Sequence, residues 1–264
     1  MTMADRRPAR APAALPPVSI SEHDGVRYLH LGSVWVQGAM RIKAPQRVEL
    51  EYVQRMLAAL LWLPTERLGQ GNAVQLGLGA GAITRFTQGV MKMQTTVVEL
   101  NPSVIAANRA FFRLPAEGAS LRVLEMDAQA WVDEVAEPGA VDVLCVDLYD
   151  HEAAGPVLDS AAFYRGCARA LAEGGVMSVN LFGRHASFAR SAARIAAAFE
   201  GGAVISLQPT REGNTIVLAL KHASLPEREE LAARALQIDT RYGLPARKWL
   251  RMIRPLPDSV LARP

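Results

Sequence analysis

Nowhere in the 264-residue sequence do eighteen uncharged apolar residues run together, so no membrane-spanning helix is expected. The N-terminal stretch lacks the continuous apolar segment of a secretory signal, and the expected location is the cytoplasm. Cysteine is scarce. Cys145 and Cys167 are the only two, and both lie among apolar residues. That excludes a disulfide framework and predicts two buried thiols. Histidine is thin as well, with five residues in all. None stands at metal-ligand spacing from His151, so no metal site is expected. The formal net charge is only +3, with a sequence pI near 9.1. No stripe of Lys and Arg interleaves with exposed aromatics, so nucleic acid is not an expected partner.

Half the residues are hydrophobic, enough for a sizeable core. The opening "MTMADRRPARAPAALPP" places Arg6, Arg7 and Arg10 among Pro and Ala. Such a composition cannot bury enough apolar surface to order itself, and a disordered tail is expected over residues 1–18. Residues 26–42 alternate apolar and polar, with a Gly32–Ser33 turn, and read as a β-hairpin or small meander. "VELEYVQRMLAALLWLP" has helical spacing and stops at Pro64, closing a small unit over residues 19–64.

From residue 73 the pattern changes. "AVQLGLG", "TTVVEL", "LRVLEM", "VDVLCVDLY" and "GVMSVNLF" are strand-like runs, separated by helical stretches. Continuous Val/Leu strands alternating with helices indicate a parallel sheet covered on both faces. After the helix "HASFARSAARIAAAF", the runs "GAVISLQPT" and "NTIVLALK" are joined only by "REG", which predicts an antiparallel pair at one edge. This second unit spans residues 65–222. "PEREELAARALQ" is a helix within a C-terminal segment, residues 223–264. Trp35, Trp62, Phe111 and Phe112 are assigned to packing.

The first strand of the repeating unit runs into "GLGAGA", with glycines at 77, 79 and 81. Glycine there lets the backbone turn tightly and approach a ligand without a Cβ clash. A tight turn with no ligand is the rival reading. Glu99 ends the second strand, 22 residues after Gly77. A carboxylate there can accept hydrogen bonds from both ribose hydroxyls of an adenosine. Asp127 and Ala128 end the third strand, where an acid can accept from the adenine amine. Asp127 can equally cap the following helix, and the two roles are compatible. Dinucleotide enzymes usually carry G-x-G-x-x-G, whereas this spacing is G-x-G-x-G, ending before Ile83. Together with the antiparallel edge, this predicts an S-adenosyl-methionine-methyltransferase-like α/β fold preceded by the small β-hairpin unit. S-adenosyl-methionine or a relative of it is the preferred ligand.

The fourth strand ends in "VDVLCVDLYDHEAAG". Asp147 follows a buried run at the carboxyl rim, with Asp150 one short turn later. Two carboxylates at that rim attract a cationic amine, and one can take its proton as the amine becomes a nucleophile. Capping of the loop by either acid is the alternative. "LFGRH", with Arg184 and His185, either reaches the pocket or begins the next helix.

The succession of hairpin, "QGAM", an acid-and-tyrosine helix, "GLGAG", "VEL", "MDA" and "VDLYD" resembles the polyamine aminopropyltransferases, the spermidine synthase family. The resemblance covers roughly residues 26–220. It implies a small β-domain before a methyltransferase-like domain. It also implies metal-free aminopropyl transfer from decarboxylated S-adenosyl-methionine to a small amine, and a homodimer. By its motifs it implies roles for Gln37 and Tyr52 at the gate, Glu99 at the ribose, Asp127 at the adenine, and Asp147 with Asp150 at the reacting amine. Two positions depart from the family. Its glycine-loop aspartate is Ala80 here, and the His-Glu after its tyrosine is Val53–Gln54. Both losses remove acids suited to diamines, and Ala80 suits intact S-adenosyl-methionine, which carries a carboxylate. A methyltransferase of unknown acceptor is therefore the runner-up, and a non-catalytic nucleoside-binding protein the third reading.

Overall fold

The computed structural model describes residues 15–149, 157–182, 186–257 and 260. Two sheets form. The first is a three-stranded antiparallel meander of β1 (Val18–His23), β2 (Val26–Leu31) and β3 (Gly38–Arg41). Val18, expected in the tail, pairs with Leu31. The tight turn lies at Asp24–Gly25, one turn earlier in the meander than Gly32–Ser33. Both residues have positive φ, 48° and 73°, the geometry that suits the twist of a two-residue hairpin. Gly32 and Ser33 instead open a longer link to β3. That link leaves Trp35 more than half exposed, against its expected packing role, and Phe111 is similarly half exposed. Trp62 and Phe112 are buried as expected.

The segment after the meander forms α1 (Glu51–Met56), tightens into a 3₁₀ stretch over Leu57–Trp62, and turns extended at Leu63 before Pro64. All six residues of that 3₁₀ stretch are buried. They pack under the second sheet.

That sheet has eight strands in the order β11-β9-β10-β8-β7-β4-β5-β6. They are β4 (Asn72–Leu76), β5 (Gln94–Glu99), β6 (Leu121–Glu125), β7 (Val141–Val146), β8 (Leu171–Phe182), β9 (Val204–Leu207), β10 (Asn214–Leu220) and β11 (Ile253–Pro255). Pairs from β6 through β8 are parallel, and those involving β9, β10 and β11 are antiparallel. The expected antiparallel pair exists, but it is not the edge. The short β11 covers β9 from outside, so the C-terminal segment supplies sheet as well as helix.

Crossovers are α2 (Ala82–Thr84), α3 (Pro102–Phe111), α4 (Ala128–Ala130), α5 (Ala161–Ala170) and α6 (Ala186–Ala198). Helices α2 and α4 each widen into a π-helical turn, Arg85–Val90 and Trp131–Val135. Helix α5 ends at Ala170, and β8 begins at the next residue, Leu171. Helix α7 (Arg228–Tyr242) packs with the 3₁₀ stretch on one face of the sheet, while α5 and α6 cover the other. Cys145 and Cys167 are free buried thiols, and burial pushes the Cys145 thiol up to about 12. Chain order reverses between β4 and β7, and an open α/β sheet binds ligands outside the carboxyl ends of its strands at such a switch point.

Candidate active site

At that switch point lies a cavity of about 440 Å³, within the range of small-ligand sites. Gly77, Gly79, Glu99, Asp127, Ala128, Asp147 and Gln37 all line it. The sequence places them far apart, and the sheet brings them together.

The three loop glycines all have positive φ, at 88°, 52° and 67°. Gly77 shows why no larger residue fits. A Cβ there would sit 2.2 Å from the carbonyl oxygen of Asp147. The first crossover loop and the end of β7 therefore touch backbone to backbone. Gly81 does not line the cavity. It sits at the start of α2, where a Cβ would meet Asn108 Oδ1 at 2.7 Å.

Glu99 ends β5 with its carboxylate held by the backbone. The N–H of Leu78 donates to Oε2 and that of Asn101 to Oε1, both at 2.8 Å. Burial raises its pKa, and those backbone donors oppose the rise. Asp127 both caps and lines. Its Oδ1 accepts from the N–H groups of Gln129 at 2.7 Å and Ala130 at 3.1 Å, which leaves Oδ2 uncommitted to the helix. The two roles foreseen for it are compatible in the structure.

Asp147 lies just beyond β7, where its N–H donates to Leu76 O across the switch point at 3.0 Å. Tyr52 Oη donates to its Oδ2 at 3.2 Å, and Asn180 Nδ2 to its Oδ1 at 2.9 Å. Burial raises the Asp147 pKa, and these two bonds pull the other way. Burial, then the Asp147 charge, holds the Tyr52 phenol well above its ordinary value, so it stays a neutral donor. Asn180 is fixed in turn. Asn214 Nδ2 donates to its Oδ1 at 3.1 Å, and Tyr149 Oη to its carbonyl at 2.9 Å. This line of amides crosses β8 and β10 and aims the Asp147 carboxylate.

Sequence reasoning missed Asn180 and Asn214. An amide inside the apolar run "MSVNLF" was the available signal. It also missed Leu15 and Pro16, which line the cavity, with Asn101 Nδ2 donating to Pro16 O at 2.9 Å. Asp150, Arg184 and His185 lie outside the described residues.

The two departures from the family pattern have structural counterparts. Ala80 is buried among Leu29, Met40, Ala107 and Phe112. It abuts Gly38 of β3 so closely that a Cβ on Gly38 would come within 2.6 Å of the Ala80 methyl. Val53 is buried, and Gln54 turns back to donate to Val48 O at 2.8 Å. Beside Asp147 there remains a side cavity of only about 10 Å³, bordered by Tyr52, Gln37, Gln75 and Ala80. Asp147 is its one carboxylate among the described residues.

Comparison with known proteins gives the family and the fold. The family described as spermine/spermidine synthase domain matches residues 77–222. A polyamine aminopropyltransferase from Chromobacterium violaceum is 34% identical over 241 residues, which is 90% of each chain. Two solved structures share the fold. A probable spermidine synthase from Corynebacterium glutamicum has a TM-score of 0.70 at 22% identity, covering 89% of this chain and 88% of its own. Human methyltransferase-like protein 13, in complex with SAH, has a TM-score of 0.61 at 21% identity, covering 80% and 96%. With a match over more than half the chain and a relative above 30% identity along nearly all of it, the chain belongs to the spermine/spermidine synthase family and is a transferase.

Proposed function

We propose that the protein transfers an aminopropyl group from decarboxylated S-adenosyl-methionine to a small-molecule amine. The observation that carries this is the placement of Asp147, a buried carboxylate held by Tyr52 and Asn180, where the 440 Å³ cavity meets the side cavity. In this reading Glu99 accepts from the ribose hydroxyls. Asp127 accepts from the adenine amine through its uncommitted oxygen, and Ala128 lies beside the base. Gly77 and Gly79 let the backbone approach the nucleoside. Gln37 borders both cavities and faces the join between the sulfonium and the acceptor. The family motif assigns Asp150, outside the described residues, a second contact to the acceptor.

Asp147 orients the amine and takes its proton. The amine nitrogen attacks the methylene carbon next to sulfur, the carbon–sulfur bond breaks, and its electron pair stays on sulfur. Neutral methylthioadenosine leaves, so alignment of nitrogen and carbon is the main task left to the enzyme. The name of the Chromobacterium relative supports aminopropyl transfer.

The apolar setting of Ala80 favours a second reading, methyl transfer from intact S-adenosyl-methionine, because nothing there repels the carboxylate of that co-substrate. Calorimetric titration separates the two. Tighter binding of the decarboxylated compound than of intact S-adenosyl-methionine is expected. The reverse order sinks aminopropyl transfer, and no binding of either compound or of methylthioadenosine sinks the nucleoside site.

A further inference from the structure

On the far side of the glycine loop lies a separate cavity of about 330 Å³, bordered by Pro45, Gln46, Arg85, Gln88, Lys92 and Arg113. Three cations border it and, among the described residues, no carboxylate does. Arg85 is the deepest, about 3% exposed. Its Nε donates to Pro45 O at 2.7 Å, and its Nη1 to Ala80 O at 2.5 Å and Phe112 O at 2.8 Å. Its Nη2 is buried and has no partner among the described residues. All its partners are neutral carbonyls, and burial lowers its pKa to about 10.

A guanidinium taken out of water normally finds a counter-charge, because carbonyl dipoles alone do not repay its lost hydration. Lys92 and Arg113 are exposed at the rim and form no hydrogen bond or ion pair among the described residues. Both hold left-handed backbone, φ 67° and 50°, a conformation few non-glycine residues adopt. Three positive groups around one concave space, with no counter-charge among the described residues, fit a multivalent oxyanion better than a single carboxylate.

We propose that this cavity binds a phosphate group, carried by a small phosphomonoester or by free phosphate or pyrophosphate. Arg113 and Lys92 take its oxygens from the rim, and the buried Arg85 supplies a third charge beneath them. The site is separate from the adenosine cavity. It meets the glycine loop at Arg85, whose Nη1 donates to Ala80 O and whose backbone N–H donates to Gly81 O.

The test is calorimetric titration of the full chain with glycerol 3-phosphate, inorganic phosphate and pyrophosphate, each at constant ionic strength set with chloride. At least one should bind saturably. The Lys92→Gln/Arg113→Gln double variant, whose exposed substitutions leave the melting temperature unchanged, should bind it at least tenfold more weakly. Tightest binding of glycerol 3-phosphate assigns the site to a phosphomonoester, and tightest binding of the other two to free phosphate. Absence of saturable binding by all three, or equal affinity in the double variant, overturns the proposal. Neither residue borders the adenosine cavity, so this outcome is independent of the co-substrate titration.

Discussion

Tyr52 and Asp147 come from different units of the chain, and their side chains meet at 3.2 Å. Tyr52 belongs to α1, and Asp147 follows β7 at the switch point. The bond therefore joins α1 to the rim of the large sheet. Asp147 borders both cavities, and Tyr52 borders the small one. Asn180 holds the other carboxylate oxygen, so the carboxylate is oriented from both sides before any ligand arrives.

Asp147→Asn tests the base directly. The amide keeps the shape, accepts from Asn180 and can donate to Tyr52, but it cannot take a proton from an amine. Turnover should fall by about 10²- to 10⁴-fold, the usual worth of a positioned base, while co-substrate affinity stays within a few-fold. The melting temperature should hold or rise, because a buried charge has been replaced by a neutral group. Steady-state kinetics, calorimetry and a thermal melt give the three readouts. Turnover within a few-fold of the unaltered protein refutes the role.

Tyr52→Phe removes one of the two bonds that lower the Asp147 pKa. With that bond gone the acid holds its proton to higher pH, so the acidic limb of the kcat/KM profile should move toward higher pH. A hydrogen bond to a charged group is worth about 1.5 kcal/mol or more, so kcat/KM should fall roughly tenfold or beyond. A loss of activity with no movement of the limb would mean that Tyr52 only packs.

The residues that line the large cavity were legible in the sequence because they follow the ends of four successive strands, β4 to β7, all parallel in one sheet. Gly77, Glu99, Asp127 and Asp147 each end a consecutive strand, and a doubly wound sheet turns such ends into one rim. What was not legible depends on distant pairing. Asn180 and Asn214 look like polar accidents until β8 and β10 lie side by side. β11 is three residues long and carries no period of its own. Val18 sits at the end of a Pro-rich stretch whose composition hides the pairing with Leu31. The cation cluster joins residues 85, 92 and 113, which no local window contains.

Gly38→Ala probes the contact between the small sheet and the glycine loop. The added methyl would stand 2.5 Å from Ala80 N and 2.6 Å from Ala80 Cβ. Most of that neighbour is backbone and cannot rotate away. Overpacking of this kind costs about 1–3 kcal/mol, which lowers the melting temperature of a chain this size by roughly 2–10 °C. The strain falls on the glycine loop that lines the large cavity, so methylthioadenosine affinity should drop with it. Calorimetry and a thermal melt on the same preparation check both. Unchanged values would show that β3 and the loop can part freely.

The buried acids set a pH dependence of stability whose sign runs against the common case. Burial raises the folded-state pKa of both Asp147 and Glu99 above the ordinary values of 3.8 and 4.5. Between those ordinary values and the raised ones, the folded chain holds more protons than the unfolded chain. Stability changes with pH as the difference between unfolded and folded proton counts, so the contribution of these two groups falls as pH rises through that window. It is fully present below the ordinary carboxylate range and gone above the raised values. Asp147→Asn deletes one of the two groups. The stability of the variant minus that of the unaltered protein should therefore grow with pH across the window and then level off. Urea unfolding of both proteins at a series of pH values, without ligand, measures that difference. A difference that is flat or shrinks as pH rises would mean that the Asp147 carboxylate is stabilised by its two bonds more than it is penalised by burial.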